Sequence, residues 1–189
     1  MRRMPRIDVI QPEDADGRLK EIYDEIQRSR GKIAEVHKIQ SLNPETITNH
    51  MDLYLNVMFG KSPLKRYQRE MMAVVVSKAN ECSYCQRHHM EALEHFWKSA
   101  DRTEQLRADY RDIELSGEDR ALCDYAWALS VDPGAAERRD PTMVLRAQGL
   151  SDRAILDATL VVSYFNFVNR MVLGLGVELE EDPGGYEYE

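Results

Sequence analysis

Cysteine is scarce in this sequence, with three in 189 residues. That number excludes the disulfide framework of a small secreted domain. Two of the three, Cys82 and Cys85, stand as a C-x-x-C pair, which fits a reducing compartment and a working thiol pair. Basic charge is also short: the net charge is −8 and the pI about 5.2, so neither nucleic acid nor an anionic membrane is expected as the main partner. Long apolar runs are few. The stretches at 71–76 and 160–172 are too short, or too interrupted by Asn166, Asn169 and Arg170, for a bilayer span to be expected. No secretory leader pattern opens the chain, although Arg2, Arg3 and Arg6 make its start basic. These readings lead to the expectation of a soluble, cytoplasmic protein.

Convincing strand alternation is absent as well, and the periodicity that is present is helical, so the fold class is all-α. One domain over residues 1–189 is expected at this length. Leu19, Ile22, Tyr23 and Ile26 recur at helical spacing between Asp16 and Gly31, a cap at each end. Asn43-Pro44 opens a helix running to Gly60, and Ser62-Pro63 repeats the start signal ahead of the helix that carries Glu70. That helix becomes almost wholly apolar over 71–76, as a helix buried on most sides does. Asn80 reads as the N-cap of the next helix, which holds both cysteines and runs to about Lys98. Thr103 reads as a cap for 104–110, and Ser116 with Asp119 resembles a capping box. Asp132-Pro133-Gly134 ends the helix that follows, Asp140-Pro141 opens another that Gly149 closes, and Ser151 caps a last apolar helix. The acidic tail over 179–189 is expected to be extended, and Glu178–Asp182 reads as a solvated charge run.

A shift of 86 residues lays 73–77 (AVVVS) on 159–163 (TLVVS) and Asn80 on Asn166. The same shift puts Val168, Met171 and Leu175 where Cys82, Cys85 and His89 stand. A degenerate helix–turn–helix repeat accounts for this, with a redox pair at 63–98 and a second pair at 150–178. Coincidence between two apolar helices is the alternative.

The chemistry concentrates in residues 70–89. Cys82, Cys85 and His89 fall within roughly 60° of one another on a helix surface. Glu70 lies about 18 Å away along an unbroken helix, so it joins them only if the chain turns near 78–80. A free thiol has a pKa of about 8.5, and the thiolate is the nucleophile, so a working cysteine needs positive potential or a base. A helix N-terminus supplies the first and a histidine one turn on the second. Cys85, at i, i+4 to His89, takes the attacking role. Cys82 is placed to resolve the sulfenic acid or mixed disulfide. Glu70 orients and polarises His89, and since its charge raises a nearby thiol pKa, it helps only when protonated or held off the sulfur.

Competing readings share these residues. Zinc wants four ligands, and C-x-x-C-x3-H gives three, with Cys123 or His88 as the only candidates to complete it. Haem attachment fails because Gln86 follows the second cysteine. Two buried inert cysteines remain the bland alternative. Cys123 reads as a small core residue, and His88, about 100° off His89, as a surface or interface histidine or a supporting one. His37, His50 and His95 have no companions in sequence.

The spacing Glu70, Cys82, Cys85, His89 (E-x11-C-x-x-C-x3-H) resembles the AhpD-like alkylhydroperoxidase family, within the carboxymuconolactone decarboxylase-like superfamily. The opening MPRIDVIQPEDADGRLKEIYDEI and the later GLSDRAILDATLVVSYFNFVNRMVLGLGVEL look like its longer, peroxidase-related branch. The resemblance implies an AhpD-like helical bundle and a cofactor-free, metal-free thiol peroxidase. It would reduce an organic hydroperoxide or hydrogen peroxide and be regenerated by an external dithiol or thiol protein. It also implies a homo-oligomer (dimer, trimer or hexamer), with Cys85 as peroxidatic thiol, Cys82 as resolving thiol, and Glu70 and His89 as proton relay. Tyr84 departs from the well-known members, which have histidine before the second cysteine. A non-catalytic redox sensor or scaffold using the same dithiol is the alternative, and decarboxylase chemistry a more distant one.

Overall fold

The computed structural model describes residues 5–180, and the remainder of the acidic tail lies outside them. Nine α-helices and no strand occur among the described residues. They are α1 (Gly17–Arg30), α2 (Glu35–Lys38), α3 (Pro44–Phe59), α4 (Arg66–Ala79), α5 (Ser83–Trp97), α6 (Ala100–Asp109), α7 (Gly117–Val131), α8 (Met143–Ala147) and α9 (Asp152–Leu175).

Helix α4 is the axis of the bundle, touching α3, α5, α6, α7 and α9. Every residue from Gln68 to Ser77 is buried, so the apolar run at 71–76 has no solvent face to alternate with. Each large side chain buried there contributes roughly 1.5–3 kcal/mol over leaving it in water. The buried Arg69 of this stretch ties two helices together. Arg69 donates to the carbonyls of Met58, Gly60 and Leu64, which clamps the end of α3 to the start of α4. A second, smaller core joins α1 to α3 through Leu19, Ile22, Tyr23, Ile26, Ile47 and Met51.

Several local expectations shift. Asn80 is the C-cap of α4, and Cys82 itself occupies the N-cap position of α5. The connection is tight because Glu81 takes a left-handed conformation (φ 56°) and the Cys82 N–H returns to the Ser77 carbonyl at 2.9 Å. Ser99 rather than Thr103 caps α6: its hydroxyl accepts from the Arg102 N–H, and Thr103 is buried one turn in. The Ser116 cap forms as read, accepting from the Asp119 N–H.

The 150–178 segment is not a helix pair. Helix α9 runs unbroken from Asp152 to Leu175, straight through Asn166. Its buried positions Val161, Val162, Phe165, Val168, Asn169 and Val172 keep helical spacing across that asparagine, so burial sustains the helix where a turn was expected. By length and composition alone α9 could cross a membrane, but 44% of that apolar stretch is buried, as in a bundle's core helix.

Candidate active site

The turn at 79–82 folds α5 back along α4 and brings Glu70 to the cysteine helix. Glu70 Oε2 lies 2.6 Å from His89 Nδ1, and Glu70 Oε1 forms an ion pair with Arg66 at 2.7 Å. The carboxyl is 1% exposed, so nothing but these partners meets its charge. Burial opposes its ionisation, yet His89 and Arg66 outweigh that cost and hold the carboxyl below its ordinary pKa. The His89 ring also packs edge-on against Phe165 of α9, with centroids 4.4 Å apart.

Cys82 and Cys85 are free, buried thiols, hydrogen-bonded to each other through their side chains. The Cys85 hydrogen bond, aided by the Tyr84 and Cys85 backbone N–H groups at the helix start, lowers the Cys82 thiol pKa against the cost of burial. The same hydrogen bond and burial push the Cys85 thiol up, and a hydrogen bond from Asn169 of α9 partly counters them. Within the reduced pair the Cys82 thiol is thus drawn down and the Cys85 thiol pushed up.

The two sulfurs face different openings. Cys85 lines a cavity of about 90 Å3, open to solvent, together with His37, His88, His89, Tyr164 and Phe165. Cys82 borders a crevice formed with Arg6, Ser83 and the last turn of α9. All four residues singled out in the sequence thus meet within one region, and Glu70 reaches it only through the fold.

Two assignments need correction. Glu180 belongs to no solvated charge run. It accepts from the Tyr84 hydroxyl at 2.7 Å and the Glu35 N–H at 2.8 Å, and pairs with His88 Nε2 at 2.9 Å. Burial works against its ionisation, but the His88 hydrogen bond and the Glu35 N–H bring the carboxyl down to about 2. His88 is accordingly no surface residue; it lines the cavity and stacks on Tyr84 at 4.6 Å. Cys123 is buried, and burial pushes its thiol up, as an inert core cysteine requires. No three His, Cys, Asp or Glu side chains among the described residues form a group suited to a metal ion.

Sequence reasoning missed Asn169, His37, His50, Tyr164 and Arg66. Arg66, at i, i+4 to Glu70, carried a readable signal. The others lie far from the cysteines in the chain, and only folding brings them near.

Residues 44–109, which span α3 to α6, match the carboxymuconolactone decarboxylase family. No curated protein matches the sequence. Among solved structures, an uncharacterized peroxidase-related protein from Silicibacter sp. TM1040 is 29% identical, with a TM-score of 0.76 over 92% of this chain and 88% of that one. The AhpD core of an uncharacterized peroxidase-related protein from Ralstonia eutropha JMP134 superposes with a TM-score of 0.81 at 22% identity, over 94% and 93% of the two chains. The debrominase Bmp8 shares the fold at 18% identity, with a TM-score of 0.75 over 93% and 92%. The class is therefore an all-α, AhpD-like fold. Its central helices match the carboxymuconolactone decarboxylase family, and the whole chain is similar in fold to these AhpD-related structures.

Proposed function

We propose that this protein is a thiol-dependent peroxidase acting on organic hydroperoxides through a Cys82–Cys85 dithiol–disulfide cycle. The observation that carries the reading is the Glu70–His89 contact beside a cavity that also holds Cys85. The hydrogen bond with Cys82, with burial behind it, holds the proton on the Cys85 thiol, so His89 takes that proton, and the Glu70 carboxylate stabilises the imidazolium that results. Arg66 pairs with the far oxygen of Glu70, which limits the repulsion that a carboxylate would exert on a thiolate.

Cys85 sulfur then attacks the terminal peroxide oxygen. An S–O bond forms, the O–O bond breaks, and the electron pair leaves with the alkoxide, which takes the proton back from His89. Cys82 gives up its proton and attacks the sulfenic sulfur; the disulfide closes, the S–O bond breaks, and the departing hydroxide takes up that proton as water. An external dithiol, approaching along the crevice at Cys82, reopens the disulfide in a reducing, cytoplasmic setting. Self-association suits the apolar Leu156, Leu160 and Phe167, which α9 leaves exposed.

The test is stopped-flow reduction of tert-butyl hydroperoxide under excess dithiol. C85S is expected to lose all turnover, and C82S to be oxidised once without cycling. Full activity in C85S would refute the assignment, and a wild type oxidised without repeated turnover would favour a redox sensor. H89A and E70Q are expected to slow Cys85 oxidation more at neutral than at high pH. A loss of equal size at every pH counts against the relay.

A further inference from the structure

The cavity that holds Cys85 carries polar groups that the dithiol cycle leaves unused. The side chain of Gln40 places one nitrogen, Nε2, 2.8 Å from the Val36 carbonyl oxygen and 2.8 Å from His50 Nδ1. A carbonyl only accepts, so this atom is the amide nitrogen and its second hydrogen goes to His50. His50 Nδ1 is therefore an acceptor, and the ring's one proton sits on Nε2. Burial holds His50 neutral, with its pKa lowered to about 4, so no second ring proton intervenes.

His50 Nε2 lies 2.7 Å from the Tyr164 hydroxyl, and with the proton on nitrogen the phenolic oxygen accepts. The hydroxyl's own hydrogen then has no acceptor among the described residues. Tyr164 lines the cavity with Cys85 and His89. Its phenol is pushed well up by burial first, with the Tyr54 hydroxyl and Cys85 adding to it, so it remains a neutral donor. A second group stands unpaired in the same cavity: His37 Nδ1 is buried with no hydrogen-bond partner, and the His37 ring meets the His50 ring edge-on at 5.6 Å. An orphaned polar atom of this kind is costly until something pairs with it.

We propose that Tyr164 is a catalytic residue of this site, donating its hydroxyl hydrogen to the oxygen that departs as alkoxide from a bulky, neutral organic hydroperoxide. The assignment rests on the dithiol reading above. The Gln40–His50 pair, acting through Tyr164, positions the donor. The unpaired His37 nitrogen offers the substrate's hydroperoxy group a second partner. The walls between them (Met51, Tyr54, Ala92, Phe165 and Val168) suit an alkyl or aryl body rather than hydrogen peroxide. As the O–O bond breaks, charge grows on the alkoxide oxygen, and a donor already fixed by the Gln40–His50 pair stabilises it without reorganising. The proton that completes the alcohol still comes from His89, so Tyr164 ends the step protonated and atoms and charge balance.

The experiment compares two oxidants with different leaving groups, reading the rate of Cys85 oxidation in the full-length protein. tert-Butyl hydroperoxide expels a strongly basic alkoxide, whereas 3-chloroperoxybenzoic acid expels a carboxylate that needs little help. Y164F is expected to lose about 10²-fold with the first, in line with loss of one oxyanion donor, and to keep its rate with the second. H50Q, which leaves the hydroxyl in place but loosens its direction, is expected to show the same selectivity with a smaller loss. Equal losses with both oxidants would mean a merely structural Tyr164 and would overturn the assignment, as would an unchanged rate. A wild type in which neither oxidant reacts at Cys85 defeats the dithiol reading itself, which separates the two failures.

Discussion

Two stretches, 73–80 in α4 and 159–166 in α9, carry nearly the same pattern of residues and end on equivalent asparagines. They pack side by side in the core, and Asn80 Nδ2 donates to Asn166 Oδ1 at 3.0 Å. Each asparagine also bonds the carbonyl four residues back, Asn80 to Val76 and Asn166 to Val162. There the likeness stops. After Asn80 the chain takes a left-handed residue, Glu81, and starts a new helix at Cys82. After Asn166 the helix continues through Phe167 and Val168, bulky residues for which a left-handed turn is costly. The break supplies what the continuous helix lacks: free N–H groups at a helix start, aimed at Cys82, and a second helix face that carries His89 back to Glu70. The intact helix contributes instead a rigid wall, with Phe165, Asn169 and Tyr164 set against the thiols.

The strongest blow to that wall is Phe165→Ala. Phe165 is fully buried and holds the His89 ring edge-on, so about 3–5 kcal/mol of stability should go, measured by urea unfolding. A loss below 1 kcal/mol would show that α9 is not the support described here. Next comes Asn169→Leu. Asn169 accepts from Asn80 at 3.1 Å and donates to Ser77 and Cys85. About 1–3 kcal/mol should be lost, and the pH midpoint for Cys85 alkylation should rise because a donor to its thiolate is gone. A fall in that midpoint would contradict the arrangement.

Glu180→Gln tests the segment that follows α9. The folded carboxyl sits at about 2 against an ordinary 4.5, so its contribution is complete above pH 4.5 and is lost as pH falls toward 2. Wild type should exceed the variant by about 2 kcal/mol at neutral pH, with the gap closing across that acid window. A gap that held constant from pH 7 to 2.5 would show that the charge is immaterial. The smallest change is Glu81→Gly. Relief of the left-handed strain should stabilise by roughly 0.5–1 kcal/mol, with the dithiol unaltered. Destabilisation would mean that the Glu81 side chain, not the backbone, holds the turn.

Much of the site was legible because its parts are local. C-x-x-C and His89 sit within two turns of one helix, and helical spacing alone puts them on one face. The place of Glu70 followed from a turn that the sequence suggested near Asn80, although the capping residue is Cys82 itself. The 150–178 segment misled because an asparagine within an apolar run has the same local preference whether buried or exposed. The buried positions on either side keep it in the helix, and Asn80 and Ser130 meet its side chain there. Glu180 misled for the same reason, since a charge run looks solvated until Tyr84, His88 and the Glu35 N–H meet it.

What the sequence determined by itself is the all-helical class, the most buried helix and the placing of Cys82, Cys85 and His89 on one helix face, all of which follow from helical periodicity. What the tertiary structure alone decided is the environment of those groups: the burial of both thiols, the Asn169 hydrogen bond, and the Gln40–His50–Tyr164 chain. The physical reason is that thiol acidity and hydrogen-bond direction depend on burial and on partners more than eighty residues away, which no local pattern encodes.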